Sequence, residues 1–296
     1  MKGSFYSYHP VVQLIFFMSV LGFTMFFRHP VMLSVSIVMS FLYAYYHKKG
    51  KTMKTTLLYI LPMFVLISLI NPLFNHAGVT ILTYLPDGNP LTLESIIFGA
   101  VSALMLSAIL LWCSSMTVVM TSDRVIYIFG RMTPKLGLLI SMILRLIPKF
   151  SSQFRSIRAA RHCIGKDITD GSLFRRLSNV TAIFSAMIQW SMENAMETAD
   201  SLKSRGYGLP HRKFYSLFHF EKRDAVLLSL FLVCDAAILA VYFSGTLLFE
   251  YYPMTSTADF GAASCTAYLF YLILCTLPLV LDKREDRKWK HLRSAV

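Results

Sequence analysis

Apolar residues occur in six long stretches of this chain, and short polar segments separate most of them. The stretches are residues 11–27, 31–46, 55–74, 93–119, 225–248 and 262–281. A helix that crosses a bilayer core about 30 Å thick needs roughly 20 apolar residues. The pattern therefore predicts about six transmembrane helices, of which the first two form a short hairpin around the turn Arg28-His29-Pro30.

Residues 120–222 follow a different pattern, which predicts two long amphipathic helices. The first is predicted to begin at Pro134, to bend at Pro148 and to end before Gly165. Proline suits the first turn of a helix, bends a helix interior, and glycine suits the position just after a helix. The second helix is predicted over residues 172–205, with Gly206 as its stop. Both are too polar on one side to cross a bilayer, so we expect them to lie along a membrane face or against another subunit.

The second amphipathic helix has an apolar stripe with a period of 3.6 residues. Its members are Leu177, Val180, Phe184, Met187, Ile188, Met192, Ala195, Met196, Ala199 and Leu202. The other face is predicted to carry Gln189, Glu193, Asn194, Glu197, Asp200 and Lys203. Methionine is typical of surfaces that re-pack against different partners, but it also fills gaps between two helices. Both interpretations of this stripe stay open.

The predicted fold class is all-α: a polytopic membrane protein with about six transmembrane helices and two long cytoplasmic helices. Residues 1–119 are predicted to hold transmembrane helices 1–4. Residues 120–222 are predicted to form the cytoplasmic module, and residues 223–296 to hold transmembrane helices 5–6 and a basic cytoplasmic tail.

Charge is distributed unevenly along the chain and orients the predicted helices. The net charge is +13, from 29 Lys and Arg against 16 Asp and Glu. Segments 1–10, 47–54, 120–224 and 282–296, which six spans place on one side, hold 28 of the 29 basic residues. Positive charge marks the cytoplasmic side of a membrane protein, so both termini are predicted to be cytoplasmic. The basic segments are then expected to meet anionic lipids, and no nucleic-acid partner is expected.

Residue types suited to catalysis or metal binding do not form a recognisable pattern. The five cysteines and eight histidines lack metal-ligand spacing, and no phosphate-binding GxxxxGK[ST] loop occurs in the sequence. We therefore predict no metal, no cofactor and no catalytic residue. Asp235 is the only carboxylate deep in a predicted span, and either a functional role or a hydrogen bond between helices would account for it.

Each predicted amphipathic helix ends in a cluster of Arg and Gly, at residues 160–165 and 204–208. Arg205 is the strongest candidate for a functional residue. The helix dipole favours a cation at a helix C-terminus, so Arg205 could be a simple capping residue. The alternative is that its guanidinium binds a carboxylate on a partner through two parallel hydrogen bonds, which lysine cannot do.

Three segments together resemble the transmembrane T component of energy-coupling factor (ECF) transporters. They are Trp-Ser-Met-Glu-Asn-Ala at 190–195, Ala-Asp-Ser-Leu-Lys-Ser-Arg-Gly-Tyr-Gly at 199–208, and residues 220–224, which lead into a span. The resemblance covers most of the chain. It implies a non-catalytic scaffold in the bacterial cytoplasmic membrane whose two amphipathic helices are crossed coupling helices.

The resemblance also implies the partners. In that family each coupling helix ends in a short Ala-Arg-Gly-like motif that docks on one of two ABC-type ATPases. A small membrane protein, the S component, binds the vitamin or metal ion, and ATP-driven movement of the coupling helices reorients it. The chain would thus support vitamin or metal-ion uptake by coupling ATP hydrolysis elsewhere to movement of the S component.

The residues implied for ATPase docking depart from the family pattern in two places. At the second motif, Ser204 stands before Arg205 and Gly206 where the family has Ala. At the first motif, Ile164 precedes Gly165 at the position of the family's Arg, and Arg161 lies about one turn earlier. Docking through Arg161 and docking through an apolar Ile164 are both open. The unequal motifs suggest that the two ATPases form a heterodimer.

The surface implied for the S component is the methionine-rich stripe with the membrane-facing part of the first coupling helix. Its expected contact residues are Phe184, Met187, Met192, Met196, Leu139 and Met142.

Two other classes of function are weighed against this interpretation. A lipid-modifying membrane enzyme would use the basic middle segment as a head-group site, with Asp167 and Asp170 as its acidic groups. A stand-alone secondary carrier would need internally repeated, broken spans with polar residues at mid-membrane, and the two halves of the chain show no convincing repeat.

Overall fold

The computed structural model describes residues 4–48, 51–76, 78–84, 89–132, 134–166, 172–206, 218–247, 249–251 and 261–294. A short 3-10 helix, Ser4–Ser7, comes first. The elements then follow in the order α1 (Pro10–Phe26), α2 (Pro30–Lys48), α3 (Lys51–Phe74), β1 (Ile81–Tyr84), β2 (Pro90–Thr92), α4 (Leu93–Val119), α5 (Ser122–Met132), α6 (Pro134–Cys163), α7 (Leu173–Ser204), α8 (Lys222–Phe243) and α9 (Ala262–Ser294). The chain divides into two compact units: residues 1–125 with 218–296, called the membrane unit, and residues 126–217, called the amphipathic unit.

The predicted all-α, polytopic membrane fold is confirmed. Five segments are long and apolar enough to cross a bilayer: Pro30–His47, Thr56–Phe74, Leu93–Val119, Lys222–Phe243 and Ala262–Lys288. The remaining one of the six predicted spans, the first in sequence, is α1, which is apolar but only 17 residues long. The protein is therefore a multi-pass membrane protein whose first apolar helix is shorter than the others.

Helix α1 lies at the centre of the membrane unit, where it packs against α2, α4, α8 and α9. Phe16 shows why: its side chain is fully buried, and its ring centroid lies 5.9 Å from that of Trp112 and 5.4 Å from that of Phe231. Aromatic pairs in this edge-to-face or tilted geometry stabilise a core beyond the area they bury. The shortest apolar helix is thus also the one most enclosed by protein.

A chain of polar side chains links four helices of the membrane unit. The indole N–H of Trp112 donates to Ser36 Oγ at 3.1 Å, and Thr24 Oγ1 lies 2.8 Å from Ser36 Oγ and 3.1 Å from the hydroxyl of Tyr271. Hydrocarbon offers no hydrogen-bond partner, so polar side chains at this depth must satisfy one another. The chain of bonds connects α1, α2, α4 and α9.

Asp235 makes a hydrogen bond between helices α1 and α8. Its Oδ2 accepts from Ser19 Oγ at 2.5 Å. This contact corresponds to the helix-to-helix role, one of the two that the sequence left open. Its Oδ1 is buried and has no hydrogen-bond partner among the described residues.

The N-terminal residues are held by buried charged groups from three other helices. The backbone N–H of Phe5 donates to Asp282 Oδ1 at 2.6 Å, and that of His9 to Asp224 Oδ1 at 3.3 Å. The guanidinium of Arg124, only 2% exposed, donates to Gln13 Oε1 and to the backbone oxygen of Tyr6. These bonds connect the first residues to α9, α8 and α5.

Three features of the fold were not predicted. Helix α5 directly follows α4, strands β1 and β2 pair antiparallel before α4, and α9 continues from its span to Ser294. The two strands lie beside Glu94 in the first turn of α4. The Glu94 carboxylate accepts hydrogen bonds from the backbone N–H of Thr80 at 3.2 Å and from the Thr80 hydroxyl at 2.6 Å.

The amphipathic unit contains the two predicted long helices. Helix α6 begins at Pro134 as predicted and remains helical through Pro148, and α7 ends at Ser204 just before Arg205. The two helices pack where the ring of Phe150 meets that of Trp190 edge-on, at 5.2 Å between centroids.

One assignment on α7 was wrong. Asn194 was predicted on the polar face, but it is 8% exposed and accepts a hydrogen bond from Lys149 of α6. The Lys149 ammonium also lies 5.6 Å from the centroid of the Trp190 ring. A polar residue is buried here because a long cationic side chain from the facing helix supplies its partner.

We predict that replacing Asp282 with Ala destabilises the membrane unit. The change leaves the buried N–H of Phe5 without an acceptor and removes the carboxylate that lies 3.2 Å from His47. The free energy of unfolding should fall by about 1–3 kcal/mol, seen as a lower melting temperature of the protein in detergent. The control is Glu285→Ala on the same helix, and an equal loss in both variants would contradict the prediction.

Candidate functional site: the ends of helices α6 and α7

Helices α6 and α7 end in the same backbone geometry. Gly165 has φ +69° and its N–H donates to the oxygen of His162 at 3.0 Å; Gly206 has φ +71° and its N–H donates to the oxygen of Lys203 at 2.9 Å. At the first end, Lys166 also donates to the oxygen of Arg161 at 3.1 Å. At the first end, these two hydrogen bonds around a left-handed residue form the Schellman motif, for which glycine is preferred because it has no Cβ.

The shared geometry fixes which residues are equivalent at the two ends. Because Gly165 and Gly206 occupy the same position, Ile164 corresponds to Arg205 and Cys163 to Ser204. Arg161 then corresponds to Leu202, so it does not stand at the position of Arg205. Residues 161–166 are called the first tip, and residues 202–206 the second tip.

The residue before each glycine is presented to solvent within the amphipathic unit. Ile164 is 71% exposed, which is unusual for an isoleucine, and Arg205 is exposed as well. The Ser204 hydroxyl donates to the oxygen of Ser201 at 2.9 Å and is thus bound to its own helix. Lys203 lies 4.0 Å from Asp200 in the last turn of α7. The two tips therefore offer different chemistry: an alkyl group at the first and a guanidinium at the second.

Helix α7 has two apolar faces rather than the single predicted stripe. One is buried against neighbours and includes Ile183, which is 1% exposed, and Trp190, whose ring contacts α6. The other is more than half exposed, with one residue at nearly every turn. Its members are Leu177, Phe184, Ile188, Met192 and Met196. A groove of about 480 Å³ runs along this second face beside Phe184, Ile188 and Met192.

The predicted contact residues separate according to these faces. Phe184, Met192 and Met196 lie on the exposed face of α7, and Leu139 of α6 is 52% exposed. Met187 and Met142 are half-buried. The structure thus groups Phe184, Met192 and Met196 into one surface and adds Ile188, which the sequence placed in the apolar stripe but not among the expected contact residues.

Several residues singled out from the sequence lie outside the described residues. They are Asp167 and Asp170, between α6 and α7, and Tyr207 and Gly208 after the second tip. A recess beside the first tip was not predicted from the sequence. Its lining includes Lys166 and Arg175, which are too far apart in sequence to suggest a common site.

Comparison with known proteins identifies the family. The sequence model of the CbiQ family, described as cobalt transport protein, matches residues 4–215. The chain belongs to this family. It is 27% identical over 229 residues to a protein of Bacillus selenitireducens named energy-coupling factor transporter transmembrane protein EcfT, covering 74% of this chain and 85% of that protein.

Other relatives match over a smaller region. The EcfT protein of Lactobacillus helveticus is 28% identical over 113 residues, 38% of this chain and 41% of that protein. The EcfT 1 protein of Listeria monocytogenes is 29% identical over 105 residues, 35% and 40% of the two chains. The resemblance to ECF transporter T components is thereby confirmed. The chain is a transmembrane component of an ECF-type transporter and a multi-pass protein of the bacterial plasma membrane.

We predict that replacing Gly165 with Ala loosens the first tip without a steric clash. A Cβ at this position would meet no atom within 4 Å, so the only cost is the left-handed backbone, about 1–2 kcal/mol. Amide hydrogen exchange in the full protein should become roughly 5- to 30-fold faster at positions 164–166.

The matched variant is Gly165→Asn, because asparagine tolerates the left-handed region better than alanine. It should produce a smaller acceleration. Equal exchange rates in the wild type and both variants would show that the left-handed stop does not hold this end of α6.

Proposed function

We propose that this chain is the energy-coupling scaffold of its transporter. In this proposal the two tips each dock on one of two ABC-type ATPase subunits. The exposed face of α7 contacts a small membrane S component that binds the vitamin or metal ion. The closing of the ATPases on ATP then moves α6 and α7, and these helices reorient the S component.

The observation that carries the proposal is the repeated end of the two long helices. The two helices, of 30 and 32 residues, each end at a glycine in the left-handed conformation, and each presents an exposed side chain just before that glycine. A stable helix end does not require an exposed isoleucine or a protruding arginine there. Such a side chain on a rigid element is suited to insertion into a partner's pocket, where a few anchors provide most of the binding energy.

At the second tip, the proposed anchor is Arg205, with Ser204 and Gly206 allowing a close approach. A guanidinium can bind a carboxylate in a bidentate manner, and such a pair gains strength when a partner removes it from water. In the last turn of α7, Lys203 lies 4.0 Å from Asp200, whereas Arg205 follows that turn and is exposed.

At the first tip, the proposed anchor is Ile164 beside Gly165. The backbone geometry supports Ile164 over Arg161, because Ile164 has the position of Arg205. An ATPase that docks here would need an apolar pocket, and an ATPase that docks on the second tip would need an acidic one. Different pockets favour two different ATPase subunits, that is, a heterodimer.

The S component is proposed to cover the second apolar face of α7. Phe184, Ile188, Met192 and Met196 form a continuous exposed row that the packing of α6 on α7 leaves uncovered in the amphipathic unit. Met is adaptable, which suits a surface that holds a partner in more than one orientation. The side chains of Leu139 and Met142 on α6 would extend this contact.

The orientation proposed for the chain follows its charge. With both termini, α6 and α7 in the cytoplasm, the basic segments meet anionic lipid head groups and the tips meet cytoplasmic ATPases. The transported substrate would be recognised by the S component. The family description and the names of the relatives suggest cobalt or another cargo of ECF transporters.

We predict that Arg205→Glu abolishes co-purification of the ATPase bound at the second tip while the protein still inserts into the membrane. Charge reversal would place a carboxylate against an acidic pocket, which should weaken binding by 100-fold or more, on the order of 3 kcal/mol. The matched control is Lys203→Glu, two residues away and also exposed. Retained ATPase and retained uptake in Arg205→Glu would remove the docking role.

We predict that the double substitution Met192→Gln and Met196→Gln releases the S component and leaves both ATPases bound. Polar side chains on the exposed row should cost roughly 2 kcal/mol of interface burial. The same positions changed to Leu stay apolar and should bind normally. If the Gln variant loses the ATPases and keeps the S component, the assignment of the two surfaces is reversed.

A further inference from the structure

A recess of about 500 Å³ opens between the end of α6 and the beginning of α7, within the amphipathic unit. Its walls carry three cations, Arg161, Lys166 and Arg175. The remaining wall consists of Gly165, Ser178, Asn179 and Ala182. None of these described lining residues is acidic, so the recess is cationic with neutral hydrogen-bonding groups between the charges.

The sequence explains why the cations meet here. Residues 175, 178, 179 and 182 recur at helical spacing and form one face of the first turns of α7. Arg161 lies in the last turn of α6, and the stop at Gly165 turns the chain so that Lys166 follows on the same side. Arg176, the immediate neighbour of Arg175, is not part of the wall.

The segment around the recess carries a large excess of positive charge. Six basic residues occur between positions 155 and 176, against only Asp167 and Asp170 in the sequence. Three cations around one small space repel one another, and this repulsion is relieved by an anion. The first turn of α7 adds to the positive potential, because its N-cap residue Ser172 makes no side-chain capping bond.

We propose that this recess binds an acidic side chain of the ATPase that docks on the first tip. This rests on the proposed function and adds a second contact to it. The first tip lacks a guanidinium at the position equivalent to Arg205, and Ile164 contributes only an apolar contact. The cations stand one turn away on the flank, so a carboxylate that enters the recess would replace the missing ion pair from the side.

A protein side chain fits the recess better than a membrane lipid does. Gly165 belongs both to the tip and to the wall of the recess. A partner that covers Ile164 therefore also covers the recess and can fill both at once. Removing the carboxylate and the cations from water together makes their attraction stronger than it would be for an exposed lipid phosphate.

The test compares Arg175→Gln with Arg176→Gln in the complete complex. The chain and its S component are placed in nanodiscs of neutral phosphatidylcholine, and the affinity of the ATPase subunits is measured by titration at low and high salt. Arg175→Gln should weaken binding roughly 5- to 30-fold at low salt, and much less at about 0.5 M salt. Arg176→Gln, which removes the same charge next to the recess, should stay within about twofold of the wild type.

Other outcomes would overturn the proposal. Equal losses in Arg175→Gln and Arg176→Gln would reduce the recess to general basic charge. A loss that appears only in nanodiscs with anionic phospholipid would assign the recess to a lipid phosphate. If Asp167→Asn combined with Asp170→Asn reproduces the Arg175→Gln loss, the recess cations pair with these two aspartates of the same chain and not with an ATPase side chain.

Arg205→Glu in the same assay separates this proposal from the function on which it rests. If Arg205→Glu weakens binding and Arg175→Gln behaves like Arg176→Gln, only the recess contact fails. If Arg205→Glu binds the ATPases normally, the docking function itself fails.

Discussion

The left-handed glycine at the end of each long helix is the constraint on which the candidate site depends. A residue with φ near +70° stops the helix at a defined position, because any other residue there would strain the backbone. The stop also fixes the side chain that precedes it. Ile164 and Arg205 occupy equivalent places for this reason, although one is apolar and the other charged. A helix that frayed at its end would present no single residue to a partner.

The membrane unit obeys a different constraint, since lipid satisfies no hydrogen bond. Its buried polar groups therefore pair across helices, as Trp112, Ser36, Thr24 and Tyr271 do in one connected chain. The buried carboxylate of Asp282 does the same for the first residues of the protein. Side chains of this kind connect the helices to one another, whereas each side chain of the exposed row on α7 is more than half exposed.

Much of the fold was predictable because its signals are local. Apolar length indicates spans, and Pro134, Gly165 and Gly206 mark helix ends within one turn of where the structure has them. One failure has a long-range cause. The burial of Asn194 depends on Lys149, 45 positions away, and no pattern on α7 alone reveals it.

The candidate site shows the same limit. The Arg-and-Gly clusters indicated both tips, and the period of the stripe indicated Phe184 and Met192. The sequence already placed Ile164 before Gly165 at the position of Arg205, and the hydrogen bonds around Gly165 support that equivalence. The recess could not be predicted from the sequence, because Arg161 and Arg175 come together only when α6 and α7 fold back on each other.

Unequal tips have a consequence for assembly under the proposed function. If both helices ended in Arg, two ATPases could exchange places, and either arrangement would satisfy the same ion pairs. An apolar anchor at Ile164 and a cationic one at Arg205 make the exchanged arrangement unfavourable, because it puts a guanidinium in an apolar pocket and an isoleucine against an unpaired carboxylate. The cations around the recess reinforce this choice from the side. Specificity of this kind requires a mismatch as much as a match, and a single Arg-to-Ile difference between the tips provides it.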